Sequence, residues 1–209
     1  MAKNSTLRKE AILDAAIGQF SRYGYKKTSL SDIADVLGIT PAALFRYFTD
    51  KRALYEAAAA RGLMRWQEAA FSAVEKETEP VSALITLARA SYDYLAGDAE
   101  FAAMLRNDPG IFPLFSGDHF ETVNDASKAM IRRLIEEGQR AGLFRPVDID
   151  RVSHLFFSVY KMFIVGSYIE TERYASREVF EQFVDIAVRG LLTEIGFDRY
   201  RKITMDRRD

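Results

Sequence analysis

Between Lys26 and Lys51 the chain gathers the side-chain types needed to read the edges of a charged, grooved polymer. Ser31, Thr40 and Arg46 carry hydrogen-bonding groups, while Pro41, Ala42, Ala43 and Phe45 can make only apolar contacts. The apolar set suits thymine methyl groups, and Arg46 can reach either a guanine edge or a phosphate. Lys26 and Lys27 add positive charge just before this segment, and Ser29 opens it. The chemistry this mixture predicts is recognition of double-stranded DNA rather than catalysis.

Such residues work only if short elements hold them in place. Ser29 is predicted to cap a helix, with Asp32 three residues later completing a capping box. Leu30, Ile33, Ala34 and Leu37 then recur at helical spacing, and Gly38 supplies a stop. Thr40 is the next predicted cap, followed by Pro41 at the first helical position, where its missing N–H costs nothing. Leu44 and Phe48, four apart, point this second helix inward, and Ala42 and Ala43 permit close approach. The whole motif, 29–48, reads as a helix-turn-helix, the geometry that lays a second helix in the major groove.

At these residues the sequence resembles the N-terminal domain of the TetR family of bacterial transcriptional regulators. Glu10-Ala11-Ile12-Leu13-Asp14-Ala15-Ala16-Ile17-Gly18-Gln19-Phe20 is similar to the family's first helix, with Tyr23-Gly24-Tyr25 and then Thr28 after it. Phe48-Thr49-Asp50-Lys51-Arg52-Ala53-Leu54 is similar to its F-x-x-K-x-x-L entry into a fourth helix. Farther on, Gly142-Leu143-Phe144-Arg145-Pro146-Val147-Asp148 resembles the family before its two terminal helices. The resemblance implies that Tyr47 and Lys51 lie against the phosphate backbone. It also implies a homodimer that binds a palindromic operator, and release by a small apolar effector. Three positions depart from the pattern: Ala42 where Gly is frequent, Ala43 where a hydroxyl is, and Phe45 where Tyr is usual. A phosphate bond from a hydroxyl at position 45 is therefore absent.

The net charge of −1 argues against a nucleic-acid partner until its distribution is considered. Residues 1–55 hold nine basic and five acidic side chains, a net +4, so the remainder is acidic. A basic head on an acidic body fits phosphate binding by one small domain. There is no cysteine, which removes disulfides and thiolate metal sites. The N-terminus is polar and basic, and Val152 to Ile169 is interrupted by Ser153, His154, Ser158, Lys161 and Ser167. Neither reads as a membrane segment, so a cytoplasmic chain is expected. His119 and His154 form no metal spacing, His154 reading as a core histidine, and no phosphate loop or nucleophile elbow occurs. No catalytic residue, metal or cofactor is expected.

The fold class expected is all-α with about nine helices, near 6–23, 29–37, 41–47, 51–76, 80–97, 99–107, 118–141, 148–172 and 176–194. The tail from Asp198 is expected to fray. Residues 1–55 form the DNA-binding domain and 56–209 a helical domain for effector binding and dimerisation. The last two long helices are apolar on several sides, more than one chain of 209 residues easily buries. A two-fold four-helix bundle would cover them, with Phe163, Gly166, Val188 and Leu191 near the axis. Trp66, Tyr92, Phe101, Met104, Phe112, Phe115 and Tyr160 are the candidate walls of an apolar effector cavity. Two other readings are a regulator governed by protein partners without an effector, and a helical carrier of apolar molecules.

Overall fold

The structure is a computed structural model that describes residues 2–107, 118–164, 166–167 and 176–205, with side chains described from Arg8 onward and, after Asn107, again from Glu121. Phe112 and Phe115 lie outside the described residues. Ten helices appear among them, and no strand: α1 (Ala2–Lys27), α2 (Leu30–Val36), α3 (Pro41–Leu44), α4 (Lys51–Val74), α5 (Pro80–Gly97), α6 (Ala99–Asn107), α7 (Asp118–Arg140), α8 (Ile149–Ile164), α9 (Arg177–Leu191) and α10 (Glu194–Met205). The chain divides into two compact units, one of Met1–Arg65 with Leu95–Glu121 and one of Trp66–Tyr94 with Thr122–Asp209.

In the first unit, α1 buries Ile12, Leu13, Ala16, Ile17 and Phe20, the stripe that its 3.6-residue spacing dictates. The helix kinks at Gly24 (φ 76°, ψ 164°), a left-handed conformation that glycine adopts without a Cβ clash. Opposite that stripe lies α6, whose Phe101, Ala102, Met104 and Leu105 are all buried. Asp98 caps α6 by accepting from the Phe101 amide (3.0 Å). Asn107 Nδ2, at its far end, donates to the Ser21 carbonyl of α1 (2.6 Å). Thus the compact unit that holds the helix-turn-helix extends beyond residues 1–55. Phe101 and Met104, expected as cavity walls, lie in its core, completely covered by protein.

The second unit is built on α5, α7, α8, α9, α10 and the latter part of α4. Gly142 (φ 71°) turns the chain after α7 so that the Phe144 ring lies over Gly138; a Cβ there would come within 2.0 Å of that ring. The next residues pair with the end of α9: Arg145 N–H donates to the Leu191 carbonyl (2.8 Å) and Thr193 N–H to the Leu143 carbonyl (2.9 Å). Thr193 Oγ1 then accepts from the Gly196 amide (3.1 Å) and so caps α10. The tail expected to fray from Asp198 is instead helical through Met205, the last described residue. Tyr200 is buried and donates to Asp185, and Arg199 pairs with Glu79. Burial, then the Asp185 carboxylate, push the Tyr200 phenol above its ordinary pKa, keeping it a donor.

Phe163, Gly166, Val188 and Leu191, expected near a two-fold axis, are all buried within the single chain. A side chain already covered by its own subunit has almost no surface left for another. His154 is also corrected, since it is exposed rather than a core residue.

The packing of Gly62 yields a test. A Cβ at this position would lie 2.2 Å from Phe101 Cε2. Gly62→Ala is expected to destabilise by about 1–3 kcal/mol through overpacking. Thermal melting should show the loss, and Phe101→Leu in the same chain should recover part of it.

Candidate nucleic-acid interface

The helix-turn-helix is set by its caps and by four inward side chains. Ser29 Oγ accepts from the Asp32 amide (3.1 Å), and the Asp32 carboxylate accepts from the Ser29 amide (2.7 Å), the reciprocal pair that the spacing predicts. Those bonds from Ser29 hold the Asp32 carboxyl below its ordinary pKa, so the cap weakens only on acidification through that lowered value. At the other end of α2, Gly38 (φ 63°) and Ile39 donate back to Asp35 (3.1 Å) and Ala34 (3.0 Å), forming a Schellman stop. Ile33, Ala34, Leu44 and Phe48 are buried. Tyr47 and Phe48 N–H both donate to the Leu44 carbonyl (2.9 and 3.0 Å), so the chain turns away after α3 instead of continuing to 47.

What remains outside is the predicted recognition set. Ser29, Ser31, Thr40, Pro41, Ala42, Phe45 and Arg46 are exposed, while Ala43 and Tyr47 are half-buried. Thr40 stands at the cap of α3 but its hydroxyl makes no capping bond, contrary to the sequence expectation. That hydroxyl sits at the protein surface. Lys26, Lys27 and Arg46 are exposed, and among the described residues none of the three forms an ion pair.

Lys51 behaves differently. Its ammonium donates to the carbonyls of Tyr25 (2.8 Å) and Thr28 (3.0 Å) and lies 4.3 Å from the Tyr25 ring centroid. Two of its three N–H donors therefore satisfy the backbone where α1 ends. Lys51, implied to lie against phosphate, here fastens α1 to the start of α4. Nearby, Tyr25 and Phe20 pack edge-on against Tyr55 (5.2 and 4.8 Å between centroids), and Asp14 accepts from both Arg61 (3.0 Å) and Arg65 (3.2 Å) of α4. The sequence motif placed Lys51 at the right point in the chain. Its partners, backbone carbonyls over twenty residues upstream, have no sequence signature.

In the second unit, three of the predicted cavity residues gather in two aromatic groups. Trp66 Nε1 and Tyr160 OH both donate to the Ser91 carbonyl (2.6 and 3.2 Å), and Trp66 stacks on Tyr94 (6.1 Å). Tyr92 stacks on Phe180 (4.3 Å) and donates to Ser167 Oγ (2.9 Å). A groove of about 580 Å³, missed in the sequence, runs between α5, α9 and α10 past Arg89, Glu181, Asp185 and Tyr200. Its charges are already paired, Arg89 with Glu181 (2.7 Å) and Arg189 with Asp185 (2.9 Å). Among the described residues no cluster of metal-ligating side chains occurs, and no helix is long and apolar enough to cross a membrane.

Comparison with known proteins gives this arrangement its class. A family model described as bacterial regulatory proteins, tetR family, matches residues 12–58, which span the motif. The HTH-type transcriptional regulator RutR of Escherichia coli K12 is 30% identical over 158 residues, covering 73% of this chain and 70% of RutR. The HTH-type transcriptional repressor KstR2 of Mycolicibacterium smegmatis is 25% identical over 192 residues, covering 90% and 93%. Among solved structures, the regulator FadR of Bacillus subtilis in complex with stearoyl-CoA shares the fold, with a TM-score of 0.70, 16% identity and coverage of 87% and 98%. The chain belongs to the TetR family of bacterial regulatory proteins. It is a helix-turn-helix regulator of transcription and not an enzyme.

The geometry separates two kinds of cation. Arg46→Ala or Lys27→Ala should flatten the log–log salt dependence of DNA affinity by about one unit each. Lys51→Ala should leave that slope unchanged while lowering thermal stability by about 1–2 kcal/mol, since two carbonyls lose a charged donor. Binding titrations across a salt series, with melts of each variant, check both.

Proposed function

We propose that the protein is a homodimeric repressor of a palindromic operator, released when a small apolar effector binds its second unit. In this reading residues 1–55 touch DNA, and residues 56–209 serve effector binding and dimerisation. The observation that carries it is the recognition surface of α3, held outward on a basic head by a buried Leu44 and Phe48. In the binding state the two recognition helices stand ~34–36 Å apart, one turn of DNA. An effector lowers operator affinity by its own preference for the other state. RutR and KstR2 are named as a regulator and a repressor, and FadR is seen with stearoyl-CoA, which supports a ligand-responsive repressor; we place it in the cytoplasm.

The subunit contact we assign to the faces of α8 and α9 that the chain leaves bare. Leu155 and Met162 on α8 are 56% and 62% exposed, and Val179 and Ile186 on α9 are 37% and 70% exposed. Each pair is seven residues apart, so each helix presents one apolar seam. A Cβ on Gly190, one turn from Ile186, would meet nothing within 4 Å, which keeps that face open. Ile186→Asp is expected to sediment as a folded monomer with helical content intact and operator affinity reduced by loss of the second half-site. A variant that remains dimeric counts against this surface. Val188→Asp, by contrast, should unfold the chain, because it buries a charge in the core.

Trp66, Tyr92 and Tyr160 are the residues we place beside the effector, with the Trp66 indole as reporter. The test begins with selection of bound sites from random DNA, followed by a screen of apolar compounds for operator release. A releasing compound should change Trp66 fluorescence, and operator DNA should weaken its binding by the same factor by which it weakens DNA binding. A folded Ala43→Glu protein should lose operator binding, because a carboxylate then enters the negative groove. Retained affinity in that variant would mean that α3 does not enter the groove. If no compound releases DNA, control by a protein partner becomes the better reading.

A further inference from the structure

The recognition surface has an unusual chemical bias. On α3 and its cap, Pro41, Ala42 and Phe45 fall at i, i+1 and i+4, so they share one outward face. Phe45 keeps helical backbone angles (φ −62°, ψ −14°) and its N–H donates to the Pro41 carbonyl (3.3 Å), which fixes the ring on that face. Phe45 as a residue is 56% exposed. Pro41 and Ala42 beside it are exposed as well, and none of the three side chains carries a hydrogen-bond donor or acceptor.

A phenyl ring left in water lowers its free energy when another apolar group covers it. In the major groove the base edges offer one such group, the 5-methyl of thymine. Phosphates and amino or carbonyl edges would instead be desolvated by the ring without compensation. We infer that Phe45, flanked by Pro41 and Ala42, is a specificity-determining residue that reads the 5-methyl group of one thymine in each operator half-site. The inference rests on the regulator reading above and deepens it. Since the ring senses the methyl and not the group at position 4 of the pyrimidine, 5-methylcytosine at the same place is recognised better than cytosine.

The probe is the duplex selected from random DNA by the full chain, with each thymine replaced singly by uracil. One thymine per half-site should lose about fourfold in affinity on losing its methyl, the equivalent of one buried carbon. Phe45→Ala, whose melting point should be unchanged because the ring is exposed, should bind the thymine and uracil duplexes equally. At the same position, 5-methylcytosine should bind more tightly than cytosine to the wild-type protein alone. If uracil is neutral at every position of a well-selected operator, or its effect persists in Phe45→Ala, the role of Phe45 is overturned while the regulator reading stands. If selection yields no preferred sequence, the regulator reading fails and this inference with it.

Discussion

A helix of four residues cannot hold its own shape. Nucleating a turn fixes several dihedral angles for a single hydrogen bond, so α3 exists only because its neighbours enforce it. Leu44 and Phe48 supply the enforcement from within α3 and its turn, and Ile33 and Ala34 from α2. Around them, α1 and α4 are fastened twice, by Asp14 to Arg61 and Arg65 and by Lys51 to the carbonyls of Tyr25 and Thr28. The direction in which Phe45 and Arg46 point follows from these contacts. In the proposed interface, DNA recognition thus depends on a buried framework behind the exposed face.

That framework divides the labour between charge and shape. The cations Lys26, Lys27 and Arg46 stand exposed, and in the proposed interface they supply attraction that any DNA can satisfy. Discrimination has to come from groups that feel base edges, and most of those on α3 are apolar. A surface of this kind gains little from a single contact. Two half-sites read together multiply the preference, which is why a dimeric arrangement suits it. The acidic remainder of the chain opposes nonspecific adhesion to the same polymer.

In the second unit the decisive contrast is between apolar residues the chain covers and those it does not. Phe163, Phe180, Val184, Val188 and Leu191 are covered, with Phe180 lying between the rings of Tyr92 and Phe163. Leu155, Met162 and Ile186 are left in water, which is costly unless another surface meets them. Polar ends of the aromatic residues are already satisfied, Trp66 and Tyr160 at one carbonyl and Tyr92 at Ser167. The effector proposed for this unit would meet rings held in fixed orientation, so its size and shape would decide whether it fits.

The sequence by itself determined the helix-turn-helix and pointed to the family, but not the last helix. Ser29 and Asp32, Gly38, and Pro41 after Thr40 are local signals, and local signals survive without knowledge of the fold because their partners lie within a few residues. The first helix was legible as well, though its end was placed at 23, before the kink at Gly24. What only the tertiary structure decided was where long-range partners fall. Lys51 binds carbonyls over twenty residues away, and Phe101 and Met104 fill a core against α1. Tyr200 anchors a helix where composition suggested a loose tail, and Val188 faces inward while Ile186, two residues earlier, faces out. Hydrophobicity marks a residue for burial, but a helix apolar on several sides carries no local sign of which side its own chain covers and which awaits another molecule. Only the packed chain, by filling one side first, makes that choice.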